Sequence, residues 1–223
     1  MLKSMNLFFF ATAAFSSITC VQVETKTTEV DKVFADIDRE DLPGAAVAIV
    51  QGEDVVYLRG YGMANLEHGV PITEDTVFDI ASISKQFGAM TAVLLAEESL
   101  IELDADAKTY VPELPNFGEK ITLRHLIHHT SGLRDWPHAM SLAGVGWGDV
   151  ISFEHIKKML FRQRELDFVP GSKYSYSNTG YNLLAESLSR ASGKSFRELT
   201  RELIFAPLSM EKTFFLDDHT EIV

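Results

Sequence analysis

A chain of 223 residues has room for one sizeable core or for two closely packed subdomains. Its 46% hydrophobic and 23% charged residues are the proportions of a globular protein and exclude a fibrous or disordered chain. The formal net charge of −12 argues against a nucleic-acid partner, which needs clustered Lys and Arg, and by itself names no ligand.

The first twenty residues differ from the rest. Lys3 supplies a positive start, Leu7 to Phe15 is an apolar run broken only by Thr12, and small residues Ser16 and Ser17 follow. That layout predicts a secretory signal over 1–20, too short to span a bilayer comfortably, and an exported protein of the periplasm, the cell envelope or the extracellular space. A buried N-terminal element is the competing reading. Cys20 is the single cysteine, so no internal disulfide forms. It stands where a lipoprotein cysteine would stand, although Ser17-Ile18-Thr19 is a poor version of that cleavage signal. The expected membrane contact is therefore limited to the signal or to a lipid anchor at Cys20.

Residues 21–41 read as a polar spacer and a first helix, with Val30, Phe34 and Ile37 at helical spacing. Gly44 to Val50 and Val55 to Tyr61 read as strands of an antiparallel hairpin. Gln51-Gly52-Glu53-Asp54 joins them, a turn longer than the tightest two-residue loops. After Pro71 comes Phe78-Asp79-Ile80-Ala81-Ser82, running into a helix from about Ile83 to Glu98 with Met90, Val93, Leu94 and Leu95 as its apolar face. Further helices are expected over Thr122 to His129, Phe153 to Glu165, Gly180 to Ala191 and Phe196 to Ile204. A hairpin followed by a mainly helical region is an α+β arrangement, with 42–223 as one domain.

Two short motifs carry chemistry. Ser82-Ile83-Ser84-Lys85 is S-x-x-K at a helix start, and residues three apart share a helix face, so the Lys85 ammonium can lie beside the Ser82 hydroxyl. The helix N-terminus favours negative charge developing on the serine oxygen. A serine needs such a neighbour to lose its proton. The same four residues also suit an ordinary N-cap serine with a solvated lysine. Tyr176-Ser177-Asn178 is Y-x-N in an extended or turn-like loop, where residues two apart point to one side. A nearby cation would lower the phenol's pKa toward that of a usable base. Asn178 offers both a donor and an acceptor, suited to orienting Lys85 and a substrate amide. A Tyr-rich surface turn would contain these residues too.

Taken together, Ala81-Ser82-Ile83-Ser84-Lys85-Gln86-Phe87, the run Leu123 to Leu133, and Pro170-Gly171 with Tyr176 to Tyr181 resemble three successive landmarks of the β-lactamase-related serine hydrolases. That group includes class C β-lactamases, D-alanyl-D-alanine carboxypeptidases and esterases. The match runs from about Leu42 to Leu208. The resemblance implies the β-lactamase and penicillin-binding-protein fold and acyl transfer through an acyl-serine. Ser82 would be the nucleophile, Lys85 and Tyr176 the proton-handling pair and Asn178 the positioning residue. The Ser82 N–H would form half of an oxyanion hole. It implies a small-molecule or peptide substrate with a reactive carbonyl (amide, β-lactam or ester) and no cofactor. The rival readings are an esterase on the same scaffold and a catalytically silent relative that binds penicillins or peptidoglycan-like peptides or serves as a scaffold. Such proteins also carry K-T-G or H-x-G on a later strand. No such sequence follows Tyr176 before Val223, so the expectation is an incomplete domain lacking its C-terminal strands.

Two other patterns are set aside. His125, His128 and His129 have helical spacing but no flanking acid or cysteine, so no metal is expected. Gly144-Val145-Gly146-Trp147-Gly148 lacks a preceding strand and the G-x-G-x-x-G spacing, and reads as a loop.

Overall fold

The computed structural model describes residues 29–146, 148–217 and 220. The signal and Cys20 expectations fall outside the described residues. The chain divides into two compact units, with the boundary between Phe78 and Asp79.

Among the described residues, the first unit holds all the strands. Residues 29–34 are helical (α1), and strands β1 (Ala45–Gln51) and β2 (Asp54–Tyr61) pair antiparallel. The strands extend one residue further at the turn than the sequence suggested. Gln51 pairs with Asp54, leaving the two-residue loop Gly52-Glu53. Gly52 adopts φ 66 at the first loop position, where the II′ hairpin turn takes glycine, and this lets so short a loop close. A register shift follows between Ile49 and Val50. Asp31 of α1 accepts hydrogen bonds from the Tyr57 and Tyr61 hydroxyls of β2 at 2.6 and 2.9 Å, and from Arg59 at 2.6 Å. Phe34 stacks on buried Tyr61 with ring centroids 4.9 Å apart. One carboxylate and one ring thus fasten α1 to the hairpin. A second small antiparallel pair, β3 (Met63–Asn65) and β4 (Val70–Pro71), was not foreseen; strands of three and two residues carry too little alternation to read.

The second unit is helical. A 3₁₀ turn, Ala81–Ser84, runs directly into α2 (Lys85–Glu97). Then follow α3 (Leu123–Ile127), α4 (Trp136–Leu142), α5 (Phe153–Arg162), α6 (Asn178–Ser192) and α7 (Phe196–Thr200). A π turn, Arg201–Phe205, continues α7 where one regular helix was expected. α6 is the central element. Leu183, Leu184, Ser187 and Leu188 are buried on one stripe, and they meet a core that includes Leu95 of α2 and Leu123 and Leu126 of α3. Fully burying each such leucine stabilises the fold by roughly 1.5–3 kcal/mol. Ser177 caps α6 by accepting the Gly180 N–H at 3.2 Å, and Gly193 ends it at φ 73. The buried face of α2 is Gly88, Thr91, Ala92 and Leu95; Met90 and Val93 are exposed. Of the expected apolar face, Leu95 is buried and Leu94 half-buried, while the rest of the buried stripe is made of small residues that hydrophobicity did not single out. α4 was missed. Its start signal, Asp135 before Trp136-Pro137, sits between glycine-marked loops, and seven residues are too few for a helical period to declare itself.

Among the described residues, no helix is long and apolar enough to cross a membrane.

Candidate active site

Ser82 is the second residue of the 3₁₀ turn. With about three residues per turn, side chains three apart eclipse one another, and Lys85 Nζ lies 3.1 Å from Ser82 Oγ. Ala81, just before the serine, has φ 45, a left-handed conformation rare outside glycine. The Asp79 carboxylate accepts its N–H at 2.8 Å and braces the turn. Ser82 itself is exposed, while Lys85 is half-buried.

Tyr176 and Asn178 arrive from far along the chain. Residues 129–132 and 167–175 are laced by three backbone hydrogen bonds. Ser175 N–H donates to His129 O at 2.9 Å, Gly171 N–H to Thr130 O at 2.8 Å and Asp167 N–H to Gly132 O at 2.9 Å. His129 Nδ1 adds a fourth tie by accepting the Ser177 N–H at 3.1 Å. The His129 ring also packs against Tyr176 with centroids 4.4 Å apart. So held, Tyr176 Oη lies 2.6 Å from Ser82 Oγ, and Lys85 Nζ donates to Asn178 Oδ1 at 2.8 Å. The four residues singled out from sequence form one continuous hydrogen-bonded chain: Tyr176, Ser82, Lys85, Asn178.

The electrostatics favour proton transfer. Burial pushes the Tyr176 phenol up, but interactions with Lys85 and the Ser82 hydroxyl outweigh it and leave its pKa below the ordinary value of 10. Lys85 Nζ also lies 4.9 Å from the Tyr176 ring centroid, within cation–π range. For His129, burial and then the Lys85 cation lower the pKa below its usual 6.5, so the ring is neutral at pH 7 and free to accept from Ser177. A serine oxygen between a phenolate and an ammonium can pass its proton to the phenolate, and the ammonium stabilises the phenolate beforehand.

Two residues of this site were not read from the sequence. Asp135 accepts the Asn178 backbone N–H at 2.7 Å. His129 had been noted only within a histidine run. Both roles depend on pairings more than forty residues apart, which neither motif spacing nor periodicity encodes. His125 also has a local task, since its Nδ1 accepts the Thr122 N–H at 3.3 Å in the capping box of α3. Among the described residues, no group of three or more His, Cys, Asp or Glu side chains is arranged to hold a metal ion. A cavity of about 710 Å³ is lined by Lys85, Asn178, Trp136, Tyr181 and Phe215 among others.

Comparison with known proteins gives concordant results. The family model described as Beta-lactamase matches residues 30–221. Over 172 residues the chain is 36% identical to a D-aminopeptidase of Gluconobacter oxydans, covering 76% of this chain and 32% of that protein. It is 30% identical over 193 residues to penicillin-binding protein 4* of Bacillus subtilis, covering 85% and 42%. Among solved structures, a beta-lactamase/D-alanine carboxypeptidase from Yersinia pestis superposes with TM-score 0.70 at 28% identity, over 92% of this chain and 57% of that one. A D-amino acid amidase from Ochrobactrum anthropi gives 0.67 at 28% identity, over 82% and 49%. The chain therefore spans about a third to a little over half the length of these proteins.

Proposed function

Because the chain belongs to the Beta-lactamase family, we propose that it carries the nucleophile and proton-transfer half of a serine hydrolase that works through an acyl-serine. One observation carries this reading: Ser82 Oγ sits 2.6 Å from Tyr176 Oη and 3.1 Å from Lys85 Nζ. In the proposed reaction the Tyr176 phenolate, stabilised by Lys85, takes the Ser82 proton as Oγ attacks the substrate carbonyl. The same proton then goes to the departing amine or alcohol. A water molecule gives a proton to the same phenolate as it attacks the acyl carbon, and that proton returns to Ser82 Oγ as the acyl–oxygen bond breaks. The Ser82 backbone N–H is the proposed donor to the developing oxyanion. Asn178 keeps Lys85 in place.

For substrate, the reading is an amide or β-lactam carbonyl. The names of the relatives support amides: D-aminopeptidase and D-amino acid amidase. The test is turnover by the protein and its Ser82→Ala variant of three compounds: a D-amino acid amide, a chromogenic cephalosporin and a short-chain p-nitrophenyl ester. Serine-dependent amide or cephalosporin hydrolysis supports the reading. Hydrolysis of the ester alone replaces it with an esterase, and binding of penicillin without turnover replaces it with a silent binding protein.

The apolar run Leu7 to Phe15 supports export as the setting for this reaction. N-terminal sequencing of the native protein is expected to begin near Cys20, and an intact Met1 in a cytoplasmic fraction overturns export.

A further inference from the structure

The Asn178 side chain touches Lys85 on one side and the Asp135 carboxylate on the other. Asp135 occupies the N-cap position of α4, yet it caps no backbone N–H of its own helix. Its side chain, only 11% exposed, reaches α6 instead. Oδ1 accepts the Asn178 backbone N–H at 2.7 Å, and Oδ2 accepts from Asn178 Nδ2 at 3.3 Å. The exposed His138 ring also lies near, its Nδ1 3.4 Å from Oδ2. A carboxylate can only accept. It therefore takes the NH₂ end of the Asn178 amide and leaves Oδ1 to accept from Lys85 Nζ. Turned over, the amide would set its NH₂ against the ammonium, donor against donor.

Resting on the hydrolase reading above, we propose that Asp135 is a positioning residue: it fixes the Asn178 amide in the orientation that accepts from Lys85, and so holds the ammonium beside Ser82. The alternative is a plain staple between α4 and α6. Asp135→Asn separates the two. That side chain keeps one oxygen, and the Asn178 backbone N–H, which makes the shorter bond, claims it. Its new NH₂ then faces Asn178 Nδ2, two donors in contact. The conflict is relieved by turning the Asn178 amide over, which presents an NH₂ to Lys85. The tie between the helices survives while the orientation is lost.

The experiment measures Ser82 modification rates by a fluorophosphonate in the full chain, Asp135→Asn, Asn178→Ala and the double variant. Asp135→Asn is expected to slow modification by on the order of tenfold to a hundredfold, the coupling usual within one hydrogen-bond network. Added to Asn178→Ala it is expected to cost no more than about twofold, since no amide remains to orient. Equal losses on both backgrounds overturn the proposal, because Asp135 would then act by another route. A second readout needs no catalysis. The Asn178 side-chain NH₂ resonances, identified by their absence from Asn178→Ala, are expected to move in Asp135→Asn; unmoved resonances overturn the proposal. If the wild-type protein is not modified at Ser82, the hydrolase reading has failed, and the NH₂ resonances still decide the orientation.

Discussion

Gly132→Ala probes the lacing that carries Tyr176 to Ser82. Gly132 is buried at φ 75, and a Cβ built there would meet Phe168 O at 2.3 Å and Leu166 Cβ at 3.3 Å. Ordinary contact begins near 3.4 Å, so the 166–168 backbone must retreat by about 1 Å. The left-handed conformation alone costs alanine about 1–2 kcal/mol. Retreat also strains or breaks the bond from Asp167 N–H to Gly132 O, about 1 kcal/mol more. The expected total is about 2–3 kcal/mol. Gly118 makes the comparison clean, since it has φ 76 and nothing within 4 Å of a built Cβ; Gly118→Ala should cost only the conformational part. Urea unfolding of the two variants is expected to differ by at least about 1 kcal/mol. Because Tyr176 rides the displaced strip, Gly132→Ala should also slow Ser82 modification by about a hundredfold, and Gly118→Ala should not. Equal stability and equal rates in the two variants would refute the argument that this strip positions the phenol.

Tyr176→Phe should slow Ser82 acylation by roughly 10²–10⁴. In the wild type the rate should rise with pH along a limb lying below 10, because the deprotonated phenol is the base and its pKa is lowered. The variant should lose that limb, and an unchanged profile would remove Tyr176 as the base. Leu188→Ala, at a fully buried position of α6, should destabilise the protein by about 2–5 kcal/mol in denaturant; a loss under about 1 kcal/mol would show that α6 is not the centre of the core. Val50 and Val55 face each other across the hairpin at 62% and 61% exposure. An apolar pair on an open strand edge invites association, so Val50→Lys with Val55→Glu should reduce light scattering at unchanged unfolding midpoint. Equal scattering would place association elsewhere.

Much of this site was legible because its chemistry is local in part. S-x-x-K names both ends of the Ser82–Lys85 contact, and a single 3₁₀ turn delivers it. Tyr176 and Asn178 were visible as a pair two residues apart, with Ser177 between them serving as a helix cap. What the sequence did not disclose was long-range. The lacing of 129–132 to 167–175 and the turn of Asp135 away from its own helix are products of tertiary packing. In the fold, long apolar stripes such as Leu183, Leu184 and Leu188 were readable. The three- and two-residue strands β3 and β4 and the seven-residue α4 were not, because periodicity needs several turns to declare itself. The face of α2 misled for a different reason, since packing chose Gly88 and Ala92 over the larger Met90.

The central claim is that Ser82 is the nucleophile, and mass mapping after treatment with a fluorophosphonate tests it most directly. The account predicts a single adduct on the peptide containing Ser82, abolished in Ser82→Ala and strongly slowed in Lys85→Ala. An adduct on another residue, or equal modification of the Ser82→Ala variant, would contradict it.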